Sequence, residues 1–224
     1  AIGLSPFLYN IAHCFVVIII NNQLKNYGGD LAIASYGVIN RIVFVFAMII
    51  MGLNQGMQPI TGYNYGAKQY DRMLRSFYLT CMYATGVMAI IFILGECFPM
   101  QLTQIFTHDI NLIEQTIVPM RIICSTMLII GFQMVAGNFF TSIGMAGKSI
   151  FLSMTRQVVY LIPLLLIVPA LFENPVLGVW WAIPISDTMA AITAAIMIGI
   201  TIRRFRVLME EQEAWKATCP PEPD

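Results

Sequence analysis

The chain has 224 residues, of which 58% are hydrophobic and 11% charged, with twelve basic and twelve acidic side chains and a mean hydropathy of +0.75. That balance leaves too little polar surface to cover a water-soluble globule, and zero net charge excludes the global basic field that nucleic acid requires. The composition is that of an all-α integral membrane protein, in which the position of each charge says more than the sum.

Six apolar segments are each long enough for the roughly 20 residues a spanning helix needs. They cover about 4–24, 31–57, 74–98, 115–142, 150–172 and 177–202. Sorting the basic residues by side puts Lys68, Arg72, Arg75, Lys148, Arg156, Arg203, Arg204, Arg206 and Lys216 on one face and Lys25 on the other, with Arg41 and Arg121 inside spans. Nine against one predicts a multi-pass protein of the plasma (inner) membrane with both termini cytoplasmic. Asp30, Glu96, Asp109, Glu114 and Glu173 all fall near the outer face, as that orientation expects. Residues 1–205 are read as a six-helix bundle and 206–224 as a cytoplasmic tail with about one helical turn. The chain begins without an initiator Met or a cleavable signal, and so reads as part of something longer.

In the first span His13 lies three residues after Asn10 on one helical face, a pair suited to a proton relay or cation site, or to a histidine bonded within the bundle. In the second, Tyr36, Asn40, Phe44, Ala47, Met51, Asn54 and Gln58 recur at three and four residues, a stripe expected to face the bundle interior. Arg41 beside it needs a partner, and Asp187 is the one deep acidic candidate in the sequence.

Between the second and third spans the chain is expected to stop at Pro59, which lacks a backbone donor and pushes Gln58 from helical geometry, then to reverse through Gly62 and Gly66 at positive φ. Valine at either glycine is expected to disrupt such a turn. The spacing Gly52-x-x-Gln55-Gly56-x-Gln58-Pro59, then Gly62-Tyr63-Asn64-x-Gly66-Ala67, then Arg72, resembles the loop after the second helix of the C-terminal lobe in the multidrug and toxic compound extrusion (MATE) family. The opening Gly3-Leu4-Ser5-Pro6 and the last-helix run Gly178-x-Trp180-x-Ala182-x-Pro184 fit the same resemblance, which covers about residues 2–205. His13 falls where some relatives carry an acidic cation-coupling residue.

In the fourth span Gln133 and Asn138 alternate with Gly137, Phe132, Phe139 and Phe140, a pattern for close helix contact or for touching a ligand. Asp187 follows Pro184 about ten residues into the last span, where a bare carboxylate costs several kcal/mol. It either marks an ion or substrate path or serves packing through a bond to Ser186 or a facing helix. Fifteen methionines and 12% aromatics suit a pocket that repacks around unlike ligands.

Five scattered cysteines without a CxxC pair read as reduced packing residues, and no metal site is expected. Gly147-Lys148-Ser149 lacks the upstream glycine of a phosphate loop, and His108-Asp109 lacks any metal cluster. No catalytic constellation appears, so no enzyme is expected. The resemblance implies one lobe of a twelve-helix secondary antiporter that exports small cationic, amphipathic compounds in exchange for sodium or protons by alternating access. It implies a second, N-terminal six-helix lobe as partner, the lipid bilayer as solvent, and no cofactor beyond the coupling cation. A flippase for lipid-linked saccharides in the same superfamily is the alternative, and would want more deep arginine and lysine than Arg41 and Arg121.

Overall fold

The computed structural model describes residues 4–218, and the side chains among them except those of residues 4–6, 213 and 215–218. Gly3 of the opening motif and Cys219 with the residues after it lie outside this range.

The first helix, α1 (Leu4–Gly66), holds 63 residues and would be about 95 Å long if straight, three times the thickness of a bilayer. It is two spans joined at Gly29, whose φ of 70° and ψ of −165° form a backbone state open essentially to glycine alone. The first two expected spans are these two arms. After α1 come α2 (Tyr70–Cys97) and a short α3 (Pro99–Gln104), then α4 (Ile110–Cys124) and α5 (Met127–Ser142). Helix α6 (Ala146–Met154) opens into wide π-helical turns over Thr155–Leu161 and resumes as α7 (Ile162–Leu171), and α8 (Pro175–Thr218) closes the chain.

Helices α4 and α5 form one span bent by 53°. The bend falls at Ser125 and Thr126, whose hydroxyls donate to the carbonyls of Ile122 and Ile123 at 2.7 and 3.5 Å, and such back-bonding competes with the helix ladder. The π turns precede Pro163, which has no N–H for the carbonyl of Val159 and crowds it with its ring. With the arms of α1, the bent pair, α2, the α6–α7 segment and α8, the six expected spans are present in an all-α bundle.

Close approach is set by glycine. A Cβ on Gly178 would stand 2.6 Å from Cα of Pro169 across α7 and α8, one on Gly131 would stand 3.1 Å from the carbonyl of Ala84, and one on Gly95 would run into Sγ of Cys124. In lipid, where apolar burial drives little, such contact is a main source of helix association.

Three expectations are corrected here. Helix α1 does not stop at Pro59 but continues through Pro59 and Gly62 to Gly66, and neither glycine adopts positive φ. The reversal uses Lys68 instead, at φ 56°. The N–H of Gln69 donates to the carbonyl of Asn64 at 2.8 Å and that of Lys68 to Tyr65 at 3.1 Å, the paired bonds of a Schellman C-cap. Beyond Arg206, α8 runs on to Thr218, far more than one turn. The polar stripe on the second arm also splits, with Tyr36 and Asn54 buried and Asn40, Phe44 and Met51 exposed.

Candidate functional site

Asp187 is 2% exposed, on α8 three residues past Pro184. It does not meet Arg41. Its Oδ1 accepts from both Nε and Nη2 of Arg156 at 2.8 Å, the one ion pair among the described residues. Arg156 is the second residue of the π turns, and Ser186 ties the same backbone down by donating its hydroxyl to the carbonyl of Arg156 at 3.3 Å. A buried carboxylate with a charged partner and a hydrogen-bonded frame avoids most of the cost of desolvation.

The sequence places Arg156 at the cytoplasmic face, and moving it inward leaves eight basic residues against one in the side count. Arg41 and Asn40 sit on the exposed face of the second arm of α1, and Arg121 is exposed on α4. Arg156 is thus the basic side chain committed to the interior.

Helix α1 packs against both the π turns and α8. His13 stacks on Tyr9 with ring centroids 5.9 Å apart and planes within 3°, and both lie within electrostatic reach of Arg156. Tyr36 on the second arm is buried against Trp180 at 6.3 Å. Nδ1 of His13 is buried with no partner among the described residues, so this side of the cluster retains hydrogen-bonding capacity. Asn10 is exposed one turn before His13. The bonded core of the site is thus Arg156 with Asp187, while Tyr9 and His13 stack on each other on the first arm of α1 and Tyr36 packs against Trp180; sequence reasoning singles out neither Tyr9 nor Arg156 as a site residue. The available signal is that Arg156 stands six residues inside an apolar segment and seven before a proline.

Asn138 belongs elsewhere. Its Oδ1 accepts from Nε2 of Gln58 at 3.1 Å and its Nδ2 donates to the carbonyl of Met134 at 3.0 Å, which fastens α5 to the second arm of α1. Gln133 is buried on the same helix with Oε1 unpartnered among the described residues. Of the other motif residues, Asn64 caps its own turn through Nδ2 to the carbonyl of Ile60 at 2.7 Å. Gln55, Pro59 and Arg72 are exposed, and Gly52, Gly56 and Gly66 face open space.

The two dismissed motifs have structural uses. Nζ of Lys148 donates to Oγ1 of Thr201 at 2.9 Å and lies 5.3 Å from the centroid of the Phe140 ring. The carboxylate of Asp109 caps α4 by accepting from the N–H of Asn111 at 3.0 Å. No group of three or more His, Cys, Asp or Glu residues converges among the described residues.

Comparison with known proteins gives the family and the fold. The family model MatE matches residues 2–167, which takes in Arg156 and ends before Asp187. The multidrug export protein MepA of Staphylococcus aureus (strain bovine RF122 / ET3-1) is 27% identical over 215 residues, 92% of this chain and 45% of its own length. The MATE multidrug transporter DinF-BH, solved as a complex, is 38% identical, with a TM-score of 0.76 over 88% of this chain and 44% of that one. A crystal structure of MATE in the bent conformation superposes with a TM-score of 0.85 at 20% identity, a likeness of fold. The chain spans about half the length of the curated relatives it matches. It is a multi-pass membrane protein, and it belongs to the MATE family.

Proposed function

We propose that the chain is the C-terminal half of a secondary active multidrug efflux antiporter of the plasma membrane, with both termini cytoplasmic. It works with an N-terminal six-helix lobe to export cationic, amphipathic compounds in exchange for sodium or protons by alternating access. The relatives support the class of cargo: MepA is a multidrug export protein and DinF-BH a multidrug transporter. The exposed residues Asn40, Phe44, Met48 and Met51 on the second arm offer polar, aromatic and thioether contacts to such cargo, while Arg41 beside them would repel its charge.

The observation that carries the reading is the Arg156–Asp187 pair, placed where three separate elements meet. A cation arriving at Asp187 competes with Arg156 for the carboxylate. Once that charge is taken, the charged bond between the π turns and α8 is lost and, among the described residues, only the hydroxyl bonds of Ser186 and Tyr160 remain between them, and π turns shift register more readily than an α-helix. Ion arrival is thereby linked to helix movement, which antiport requires. The flippase alternative finds one committed interior arginine, and Asp187 already engages it.

The test is export by reconstituted full-length transporter, with sodium and proton gradients imposed independently. Asp187→Asn keeps size and one acceptor for Arg156 but removes the charge, and should slow gradient-driven export at least about tenfold; a melting temperature lowered by the uncompensated Arg156 charge is read alongside, and export is compared per folded protein. Export at the wild-type rate with the same ion dependence would make Asp187 a packing residue and pass the coupling role to His13.

A further inference from the structure

The turn at Lys68 and the extension of α8 flank an open recess of about 680 Å³. Lys68, Gln69 and Tyr70 wall one side, and Leu208, Glu211 and Gln212 the other. The two walls are fixed to each other by Phe205, which is 3% exposed. Its ring stacks 5.3 Å from Tyr70 and meets Tyr65 edge-on at 5.9 Å.

That ring contact carries the neighbours of Phe205 to the turn, so Arg204 and Arg206, both exposed, stand at the same end as Lys68 and Arg72. The acidic side chains described there are Asp71, Glu210 and Glu211, all exposed, against six basic ones once Arg75 and Arg203 are counted, and the surplus remains with Glu213 of the sequence added. The apolar run of α8 gives out at Ile202, just before Phe205, so the recess lies where the chain passes from hydrocarbon to water. Its donors are an ammonium, two amides and a phenol, and its apolar side is Leu208 with the Tyr70 ring. Lys68 also holds a left-handed backbone in a turn whose counterpart at the same end of the bundle uses Gly144 at φ 74°. A lysine kept at a costly position has a purpose when its ammonium has an anion to meet.

We propose that this recess is a binding site for the headgroup of an anionic phospholipid, with Lys68 on the phosphate and Arg72, Arg204 and Arg206 supplying the surrounding field. A free phosphate would share the ionic contacts. The lipid is the occupant because the recess sits at the interface with one apolar wall. The site rests on the membrane placement of the bundle and is independent of the transport reading.

Full-length transporter is placed in nanodiscs of mixed phosphatidylglycerol and phosphatidylcholine, and retained lipids are counted by native mass spectrometry. Phosphatidylglycerol should be retained over phosphatidylcholine. Lys68→Gly, which suits the backbone, should lower that retention about fivefold, while Lys68→Arg preserves it. Glu211→Gln should raise it by removing the opposing charge, and Lys25→Gln at the far end should leave it unchanged. Equal retention of the two lipids overturns the proposal, as does wild-type retention by Lys68→Gly. Displacement by soluble glycerol phosphate as effective as by phosphatidylglycerol would show a free-anion site and overturn it too.

Discussion

Two helices end side by side at the basic end of the bundle, α1 turning at Lys68 and α5 at Gly144 just past their last helical residues, and they end by the same bonds. At the second turn the N–H of Met145 reaches the carbonyl of Phe140 at 2.9 Å and that of Gly144 reaches Thr141 at 3.1 Å, matching the pair at Gln69 and Lys68. Both turns put one residue at positive φ, 56° in Lys68 and 74° in Gly144. The backbone thus dictates a left-handed position, while the residue there is glycine in one case and lysine in the other. The difference teaches that a glycine in a turn motif is not always the residue that turns: Gly62 and Gly66 stand in the helix before Lys68, and they do different things.

The sharpest break of the comparison is Gly144→Val. A β-branched side chain at a left-handed position should cost about 2 kcal/mol, since even an unbranched residue costs about 1 to 2 there. A thermal melt of the full-length protein in detergent should show a clear loss; an unchanged melting temperature would mean the α5 turn can reverse another way. Next is Gly62→Ala. The added Cβ would meet the carbonyl of Ser142 at 3.1 Å, close to the end of α5, and the helices would have to part. The net cost is about 1 kcal/mol after the gain in helix propensity. The effect should vanish on a background in which Gln58→Leu has already loosened the contact with Asn138, and simple additivity would place the two sites apart.

Lys68→Gly runs the other way. Glycine removes the left-handed penalty of about 1 kcal/mol and returns part of it as chain entropy, for a net stabilisation of about 0.5 kcal/mol. Denaturant titration of the purified variant reads the sign, and a destabilised protein would show that the lysine side chain holds the turn together.

The bundle is legible in the sequence because spanning helices are written as apolar runs, and the residues that interrupt them are few. Gly29 falls inside an expected connector, and the bend between α4 and α5 is hidden because Ser125 and Thr126 interrupt hydrogen bonding without interrupting hydropathy. The candidate site is half legible. Asp187 and His13 stand out as polar groups in apolar runs, and the structure brings their neighbourhoods together. Arg156 is misassigned because basic residues near a span end are counted with the loop, and nothing in hydropathy says that a widened helix folds a guanidinium inward. Arg41 receives the wrong partner for a related reason. Exposure on the surface and burial in a bundle look alike in periodicity, since both require a stripe.

The smallest expected effect separates the two glycines of the motif. Gly66 is the last helical residue of α1, two positions before the residue that turns, and its φ is not in the left-handed region. A Cβ built there meets nothing within 4 Å, in contrast to Gly62. Valine is a poorer helix former than alanine but better than glycine, and at this exposed terminal position its branched side chain enters open space. Gly66→Val should therefore shift stability by no more than about 0.5 kcal/mol in either direction. The sequence alone predicts the opposite, a broken turn, because it assigns the reversal to Gly62 and Gly66. Expression and melting temperature of the full-length variant decide between them: near wild-type values place the reversal at Lys68, and a protein that fails to accumulate returns it to Gly66.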